Sequence, residues 1–270
     1  GYSSAASDVY KRQIENIALE KYCVFFMRNL LLTIQYDGHR YHGWQVQKNA
    51  VTVQEVFQNA AQKVFGIRPA VKGCSRTDSG VHANMYCVTL QTAASIDCAG
   101  VLRAMNAALP ADIAVVDCKE VDADFHPRYS CQSKEYVYKL YNGRVRSPFL
   151  KNYAYHYRYP IDTELLNREA QAFVGTHDFC GFCNAKSDVE DTVRTVSAFR
   201  VEREGDMVYF TVEADGFLYN MVRIMVGTLL FVNEGKIAPG ALSDVLLSKE
   251  RKMAGKTAPP QGLYLNQVKY

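Results

Sequence analysis

The stretch RNLLLTIQY, from Arg28 to Tyr36, decides the class of fold that this sequence adopts. Its leucine, isoleucine and threonine residues are typical of a β-strand. Asp37-Gly38 follows directly and predicts a turn. The first predicted element is therefore a strand, which needs a sheet to pair with.

A helix is predicted next along the chain. Thr52 is a suitable N-cap, and apolar residues then recur at helical spacing from Val53 to Val64. Gly66 is suited to end this helix because glycine adopts the left-handed conformation without strain. The rest of this half is predicted to contain a strand near 84–92, a helix near 99–108 and a strand near 113–121.

The second half repeats this alternation of strands and helices. Its predicted elements are a strand at 131–141, a helix at 163–174 closed by Gly175, a hairpin at 193–215, a helix at 218–232 and a strand near 263–269. Two such halves predict an α+β protein built from two similar mixed α/β subdomains, ferredoxin-like or RRM-like, with their sheets side by side. We expect the subdomains to span 27–128 and 129–270.

Residues 1–26 differ from the rest of the chain. They have no clear hydrophobic period, and they lack the charged start, apolar core and small-residue cleavage site of a signal peptide. We expect this segment to be a non-native or disordered extension, with the natural chain beginning at Met27.

Composition excludes some classes of protein. Apolar residues make up 48% and charged residues 22% of the chain, which is globular usage rather than that of a disordered protein. The apolar run at 221–232 is interrupted by Arg223 and is too short to span a bilayer, so we expect no membrane association. The eight cysteines form no dense framework, which predicts reduced thiols in a cytoplasmic protein.

Charge is distributed unevenly along the chain. Residues 95–127 contain more acidic than basic residues, whereas residues 128–158 are strongly basic. Tyrosines interleave with the cations of the basic stretch, at positions 129, 136, 138, 141, 153, 155 and 157. Such a pattern suits RNA, because rings stack on bases and cations meet phosphates, but it also fits a strand pair with one solvated basic face.

The segment GCSRTDSGVHA, from Gly73 to Ala83, is the strongest candidate for a functional loop. Its Thr-Asp-Ser-Gly core is also ordinary turn chemistry. An arginine two residues before Asp78 and a histidine four residues after it favour a site, because catalytic groups often lie on loops that leave a rigid element.

The octapeptide from Arg76 to Ala83 closely resembles the catalytic segment of the tRNA pseudouridine synthase TruA family, bacterial type. Other segments are similar to that family in the same order. They are Tyr36-Asp37-Gly38, Tyr41-His42-Gly43-Trp44-Gln45, Phe125 to Ser130, Lys134 to Tyr138, Asp178-Phe179, Thr192-Val193-Arg194, Phe217 to Gly227 and Gly262 to Leu265. The resemblance covers Met27 to Tyr270.

The resemblance implies the pseudouridine synthase fold, with its two subdomains joined through a central, mostly antiparallel sheet. It implies an isomerase that converts uridine to pseudouridine at positions 38, 39 and 40 of the tRNA anticodon stem-loop after base flipping. It also implies a homodimer in which tRNA contacts both subunits. We expect neither a cofactor nor a metal, because the reaction exchanges one bond from uracil to ribose for another.

The resemblance also implies the roles of individual residues. Asp78 is the catalytic carboxylate, acting as nucleophile or as base, and either role needs the ionised form. Arg223 is expected to hold it charged, and an unpaired cation on an apolar helix would be costly, which independently predicts a buried partner. The further substrate-binding residues are Tyr136 against the uridine, Arg76 at the flipped base or a phosphate, Leu265 lining the pocket, and the motif residues Thr77 and His82.

Three alternatives stay open at this point. The protein could act on uridines of other RNAs, or it could be a non-catalytic RNA-binding α+β protein. A third possibility is a metal or redox site built on His177, Cys180 and Cys183, which lacks a convincing fourth ligand.

Overall fold

The computed structural model describes residues 27–184 and 191–270, so the predicted extension at 1–26 lies outside the described residues. The strands of the described chain form one ten-stranded sheet. They are β1 (Arg28–Tyr36), β2 (Val71–Gly73), β3 (His82–Thr92), β4 (Ile113–Val121), β5 (Ser133–Tyr141), β6 (Tyr155–His156), β7 (Gly175–Asp178), β8 (Val193–Glu204), β9 (Met207–Ala214) and β10 (Leu263–Lys269).

The sheet joins the two halves of the chain edge to edge. Its order is β4-β1-β3-β10-β5-β9-β8-β7, with β2 also paired to β3 and β6 to β5. Most neighbours are antiparallel, whereas β10 runs parallel to β3. The predicted α+β class with a central, mostly antiparallel sheet is therefore confirmed.

The last strand, β10, forms the seam between the halves. Leu265 of β10 lies opposite Ala83 of β3 on one side and Tyr136 of β5 on the other. Since β1 occupies the other edge of β3, β10 and β2 share its remaining edge at opposite ends. The loop at 74–81, which connects β2 to β3, therefore lies at the fork where the two halves meet.

Five α-helices accompany the sheet in the described chain. They are α1 (Val53–Phe65), α2 (Cys98–Ala108), α3 (Thr163–Ala170), α4 (Met221–Asn233) and α5 (Leu242–Ser248). The predicted caps of α1 are present: Thr52 accepts a hydrogen bond from the Glu55 amide, and Gly66 is left-handed with φ 78°. None of the helices in the described ranges is long and apolar enough to cross a membrane.

Helix α4 is the most deeply buried helix near the seam. Its sequence MVRIMVGTLLFVN contains one charged residue, Arg223, and most of its other side chains are buried. It contacts both α3 and β5. Gly227 allows close packing here, because an added Cβ would overlap the Lys256 carbonyl oxygen. Arg223, the only charged residue of this helix, therefore lies on a mostly buried element that packs against β5 beside the seam.

The predicted helix bounds differ from the observed ones in the second half. The helix predicted from 218 begins at Met221, because Asn220 takes the left-handed conformation with φ 64° and precedes the first turn. The helix predicted to reach 174 ends at Ala170 and continues as a 3₁₀ turn, Gln171–Phe173. Short elements such as β2, β6 and α5 were not predicted, since a few residues carry little periodic signal.

Candidate active site

The loop that carries Asp78 is fixed by backbone hydrogen bonds to the segment after β1. The Trp44 amide donates to the Thr77 carbonyl oxygen at 3.1 Å, and the Gly80 amide donates to the Tyr41 carbonyl oxygen at 3.1 Å. Gly43 makes this approach possible, because it has φ 82° and a Cβ there would overlap the Thr77 oxygen. The segment from Tyr41 to Trp44 and the loop at 74–81 thus stabilise each other's conformation.

Aromatic side chains support the loop from beneath. The Tyr86 hydroxyl donates to the Ser75 carbonyl oxygen at 2.6 Å, and the Tyr36 hydroxyl lies 2.8 Å from the Thr77 hydroxyl. The Trp44 ring stacks on Tyr86 with centroids 4.1 Å apart. Thr77 is therefore hydrogen-bonded through both its carbonyl oxygen and its side chain, which fixes the backbone next to Asp78.

Asp78 and Arg223 are brought together by the fold. Arg223 Nη1 donates to Asp78 Oδ2 at 2.9 Å, and the two side chains keep 14% and 17% of their exposure, respectively. The residues are 145 positions apart in the chain. The buried partner predicted for the cation of this apolar helix is therefore present, and it is the carboxylate of Asp78.

The orientation of Arg223 is fixed by two further acceptors. Its Nε donates to the Ala258 carbonyl oxygen at 2.7 Å, and its Nη1 also donates to Asn220 Oδ1 at 2.6 Å. Asn220 reaches this position from the left-handed residue that precedes α4. These bonds hold the guanidinium in one geometry, so the carboxylate meets a cation that does not need to reorganise.

Burial and Arg223 act in opposite directions on the Asp78 carboxyl. Desolvation raises its pKa above the ordinary value, and the charge and hydrogen bond of Arg223 lower it. Desolvation prevails, so the pKa is raised overall. A carboxylate of this kind is more basic than a solvated one and still depends on the arginine to ionise readily.

Tyr136 of β5 and Leu265 of β10 lie opposite each other on adjacent strands. Tyr136 is 5% exposed, and its hydroxyl lies 3.1 Å from Ser75 Oγ, three residues before Asp78. Its ring meets Phe217 edge to face with centroids 5.0 Å apart. Burial raises the pKa of Tyr136 and the negative charge of Asp78 raises it further, so the phenol is neutral at physiological pH.

His82 is engaged within the protein through both ring nitrogens. Its Nδ1 accepts a hydrogen bond from the Gly38 amide at 3.0 Å, and its Nε2 lies 2.9 Å from the Asn152 carbonyl oxygen. The ring stacks on Tyr264 with centroids 4.6 Å apart. Burial lowers the pKa of His82 against the opposing effect of Asp37, which favours the neutral ring that these bonds require.

Two clefts flank the loop that carries Asp78. The basic cleft, of about 260 Å³, opens at the start of the loop and is lined by Lys72, Ser75, Arg76, His126, Arg128 and Tyr129, among others. The acidic cleft, of about 280 Å³, opens at its end and includes Asp37, His82, Asp112, Tyr153 and Tyr264. Arg76 therefore lines the basic cleft and not the acidic one.

Several residues of this site were not singled out from the sequence. Asn220 and the Ala258 carbonyl orient Arg223, and Ser75 and Phe217 contact Tyr136. The asparagine directly before the helix was a usable signal, because asparagine tolerates the left-handed conformation. A backbone carbonyl such as that of Ala258 leaves no trace in the residue types.

The alternative metal site is not assembled in the described ranges. No group of three or more His, Cys, Asp or Glu side chains within 27–184 and 191–270 is arranged to hold a metal ion. His177 Nε2 lies 3.0 Å from the Val174 carbonyl oxygen instead. Asp178 pairs with Lys249 at 2.7 Å, so its charge is already compensated.

The sequence is similar to that of a defined protein family. A family profile described as "tRNA pseudouridine synthase" matches residues 32–130 and 170–270. The match includes the Asp78 loop, Arg223 and β10. Among solved structures, a chain of a Cbf5–Nop10–Gar1 complex is 12% identical, with a TM-score of 0.38, covering 87% of this chain and 57% of that chain.

Bacterial relatives align over nearly the whole of the described chain. A protein of Thermoanaerobacter sp. (strain X514) named "tRNA pseudouridine synthase A" is 46% identical over 90% of this chain and 100% of its own length. A protein of the same name from Acetivibrio thermocellus is 44% identical over 90% of this chain and 100% of its own length. Another, from Halalkalibacterium halodurans, is 43% identical over 88% of this chain and 90% of its own length. The chain therefore belongs to the tRNA pseudouridine synthase family.

Proposed function

We propose that this protein isomerises uridine to pseudouridine at positions 38, 39 and 40 of the tRNA anticodon stem-loop, with Asp78 as the catalytic carboxylate. Family membership makes it a tRNA pseudouridine synthase, an isomerase. The positions rest on the resemblance of the loop from Arg76 to Ala83. The observation that carries the proposal is the enclosed ion pair between Asp78 and Arg223 on a loop held from both sides of the seam.

The reaction needs an ionised carboxylate in a shielded site. The N1–C1′ bond of uridine breaks, a C5–C1′ bond forms, and the C5 proton leaves while N1 gains one, so the product is an isomer of the substrate. Asp78 starts the reaction either by attack on C1′ or by removing a ribose proton. Arg223 keeps Asp78 ionised in a poorly solvated site, where a free carboxyl would take up a proton.

The uridine must leave its stack before it reaches Asp78, which costs a few kcal/mol in general. Tyr136 and Leu265 offer a ring and an apolar side chain opposite each other in the sheet register. Tyr136 is already held by Phe217 and Ser75, so little side-chain entropy is lost when a base packs on it. We assign these two residues to the wall of the uracil pocket.

The other motif residues act on either side of Asp78. Arg76 is exposed in the basic cleft, where it contacts a phosphate or holds the space left by the flipped base. Thr77 positions the loop through Tyr36, and His82 anchors its end through Gly38 and Asn152. Thr77 and His82 thus keep Asp78 in place relative to the substrate rather than performing chemistry.

The direct test uses purified protein and a tRNA transcript labelled with 5-tritiated uridine. Release of tritium, followed by mapping of pseudouridine in the product, is expected for the wild type at positions 38 to 40. RNA that is bound but left unchanged would support a non-catalytic RNA-binding protein instead. Pseudouridine at other positions would keep the chemistry and overturn the assigned target.

The oligomeric state and the cellular location belong to the same proposal. The protein acts in the cytoplasm, where its tRNA substrate is present, as a homodimer whose subunits both contact one tRNA. Each subunit divides at about residue 128 into two subdomains, 27–128 and 129–270, which bind the RNA together. Light scattering of the purified protein tests the dimer, and a monomeric mass at micromolar concentration would contradict it.

A further inference from the structure

The basic cleft is not accounted for by the chemistry at Asp78. Lys72, Arg76 and Arg128 contribute three cations to its lining, and no Asp or Glu of the described chain lines it. Lys72 and Arg128 are exposed to solvent. A concave surface with several cations and no carboxylate attracts a polyanion and holds its phosphates at short range.

Tyr129 gives this cleft an aromatic surface. It is 76% exposed, although a tyrosine ring is mostly apolar. The Arg128 guanidinium lies 5.7 Å from its ring centroid, and the His126 ring lies 4.4 Å from it. An exposed ring beside cations is the arrangement that proteins use to stack on an unpaired base.

The turn that presents Tyr129 is rigid. The Tyr129 and Ser130 amides both donate to the His126 carbonyl oxygen, at 3.1 and 2.8 Å. The Tyr270 hydroxyl donates to the Pro127 carbonyl oxygen at 2.9 Å, which ties the turn to the end of the chain. The backbone that carries the ring is therefore held in position before any ligand binds, so stacking on the ring loses little backbone entropy.

The basic cleft adjoins the candidate active site through Ser75 and Arg76. Ser75 lines the cleft, and its hydroxyl lies 3.1 Å from that of Tyr136 in the proposed uracil pocket. Arg76 lines it as well, two residues before Asp78. A nucleotide in this cleft would therefore be close in the RNA strand to the nucleotide at Asp78.

We propose that the basic cleft is a second nucleotide subsite, which binds a nucleotide next to the target uridine with its base unstacked from the RNA. Its base stacks on Tyr129, and the phosphate that joins it to the target lies between Lys72 and Arg128. This inference rests on the proposed function. The subsite holds the strand on one side of the target while the uridine is turned into the pocket, so it contributes to substrate binding rather than to bond breaking.

The test measures binding and turnover of anticodon stem-loop RNAs. In one RNA every nucleotide carries its base, and in two others the nucleotide 5′ or 3′ to the target uridine is abasic. Tyr129→Ala is expected to raise Kd at least about fivefold with kcat unchanged. The abasic change on the stacked side should weaken wild-type binding similarly and add no further loss in Tyr129→Ala. Lys72→Ala with Arg128→Ala should lower the slope of log Kd against log salt by about 0.7, because the two cations neutralise one phosphate.

Matched controls come from elsewhere on the surface. Tyr159 is 50% exposed and lies under the Arg158 guanidinium at 5.1 Å, yet it does not line the cleft. Tyr159→Ala, and Arg168→Ala with Lys252→Ala, are expected to leave Kd and the salt slope unchanged. Thermal unfolding of every variant separates loss of binding from loss of fold.

The outcomes distinguish this subsite from the proposed function. If the wild type forms pseudouridine but the cleft variants bind no worse than the controls, the subsite is wrong and the function stands. The same conclusion follows if the abasic change weakens Tyr129→Ala as much as the wild type. If the wild type forms no pseudouridine in any tRNA, the proposed function fails and the subsite fails with it.

Discussion

The enclosed pair of Asp78 and Arg223 and the open basic cleft lie beside the same loop but differ in how their charges are treated. Asp78 and Arg223 are mostly buried and bonded to each other, and Arg223 also donates to Ala258 and Asn220. Lys72, Arg76 and Arg128 project into solvent. Charges that are fixed in a dry site can stabilise a transition state, whereas solvated ones mainly attract and hold a polyanion.

This contrast predicts separate kinetic signatures. Changes to the enclosed pair should act on kcat, because they alter groups whose interactions develop during the reaction. Changes in the basic cleft should act on KM and on salt dependence, because they weaken contacts that form equally in ground and transition states. Four substitutions can break or sharpen the comparison.

Asp78→Asn should have the largest effect. The amide keeps the size of the side chain but can neither attack C1′ nor remove a proton, so kcat should fall by at least about a thousandfold. Tritium release from labelled tRNA measures the loss, and a binding assay should show retained affinity. Turnover near the wild-type rate would remove Asp78 from its role.

Arg223→Gln should have the next largest effect, and it should depend on pH. The catalytic form of Asp78 is ionised, so activity is lost as pH falls through its raised pKa. Removing the cation raises that pKa further, so the acid limb of kcat/KM should move to higher pH.

The pH profile separates this role from a structural one. Arg223→Lys serves as the control, because it restores the charge without the forked geometry and should return part of the shift. An unchanged acid limb in Arg223→Gln, with lower activity at every pH, would mean that the arginine only supports the fold.

Arg76→Ala tests the cleft side of the comparison. Loss of one phosphate contact should raise KM about tenfold at low salt and lower the salt slope by about 1. Arg76→Lys should restore most of the affinity if the partner is a phosphate. A fall in kcat that lysine does not rescue would place Arg76 at the flipped base and break the proposed division between the two regions.

Tyr136→Phe should have the smallest effect. The ring is retained against Phe217, and only the hydrogen bond to Ser75 is lost, which is worth about 1 kcal/mol. Kinetics with labelled tRNA should show a change of about fivefold or less, while Tyr136→Leu, which lacks a ring, should lose more. Equal losses in both variants would show that the hydroxyl, not the ring, is the functional part.

The local elements were largely predictable because their signals are short-range. The strand at Arg28–Tyr36 and the helix at Val53–Phe65 have the predicted bounds, within one residue, since strand propensity, caps and glycine stops act within a few positions. The start of α4 was missed because apolar side chains on both sides of Asn220, at Leu218 and Met221, extend the apolar pattern beyond the helix. Only the left-handed Asn220 marks where the helix begins.

The basic, tyrosine-rich stretch shows the limit of composition. Tyr136, Tyr138 and Tyr157 are buried in the core, whereas Tyr129 is exposed beside Arg128. All four tyrosines belong to the same basic, tyrosine-rich stretch, so composition does not distinguish the buried rings from the exposed one. Which ring faces solvent is decided by the strand register and by the turn at 126–130, so the sequence pointed to RNA but did not show which tyrosine is exposed.

The sequence by itself determined the elements, the motif around Asp78 and the need of Arg223 for a buried partner, because propensity and desolvation depend on residue type and immediate neighbours. The tertiary structure decided that β10 inserts between the halves, that Asp78 is the partner of Arg223 across 145 positions, and that two clefts of opposite charge flank the loop. These features arise from contacts between distant segments, whose free energies depend on the packing of the whole molecule.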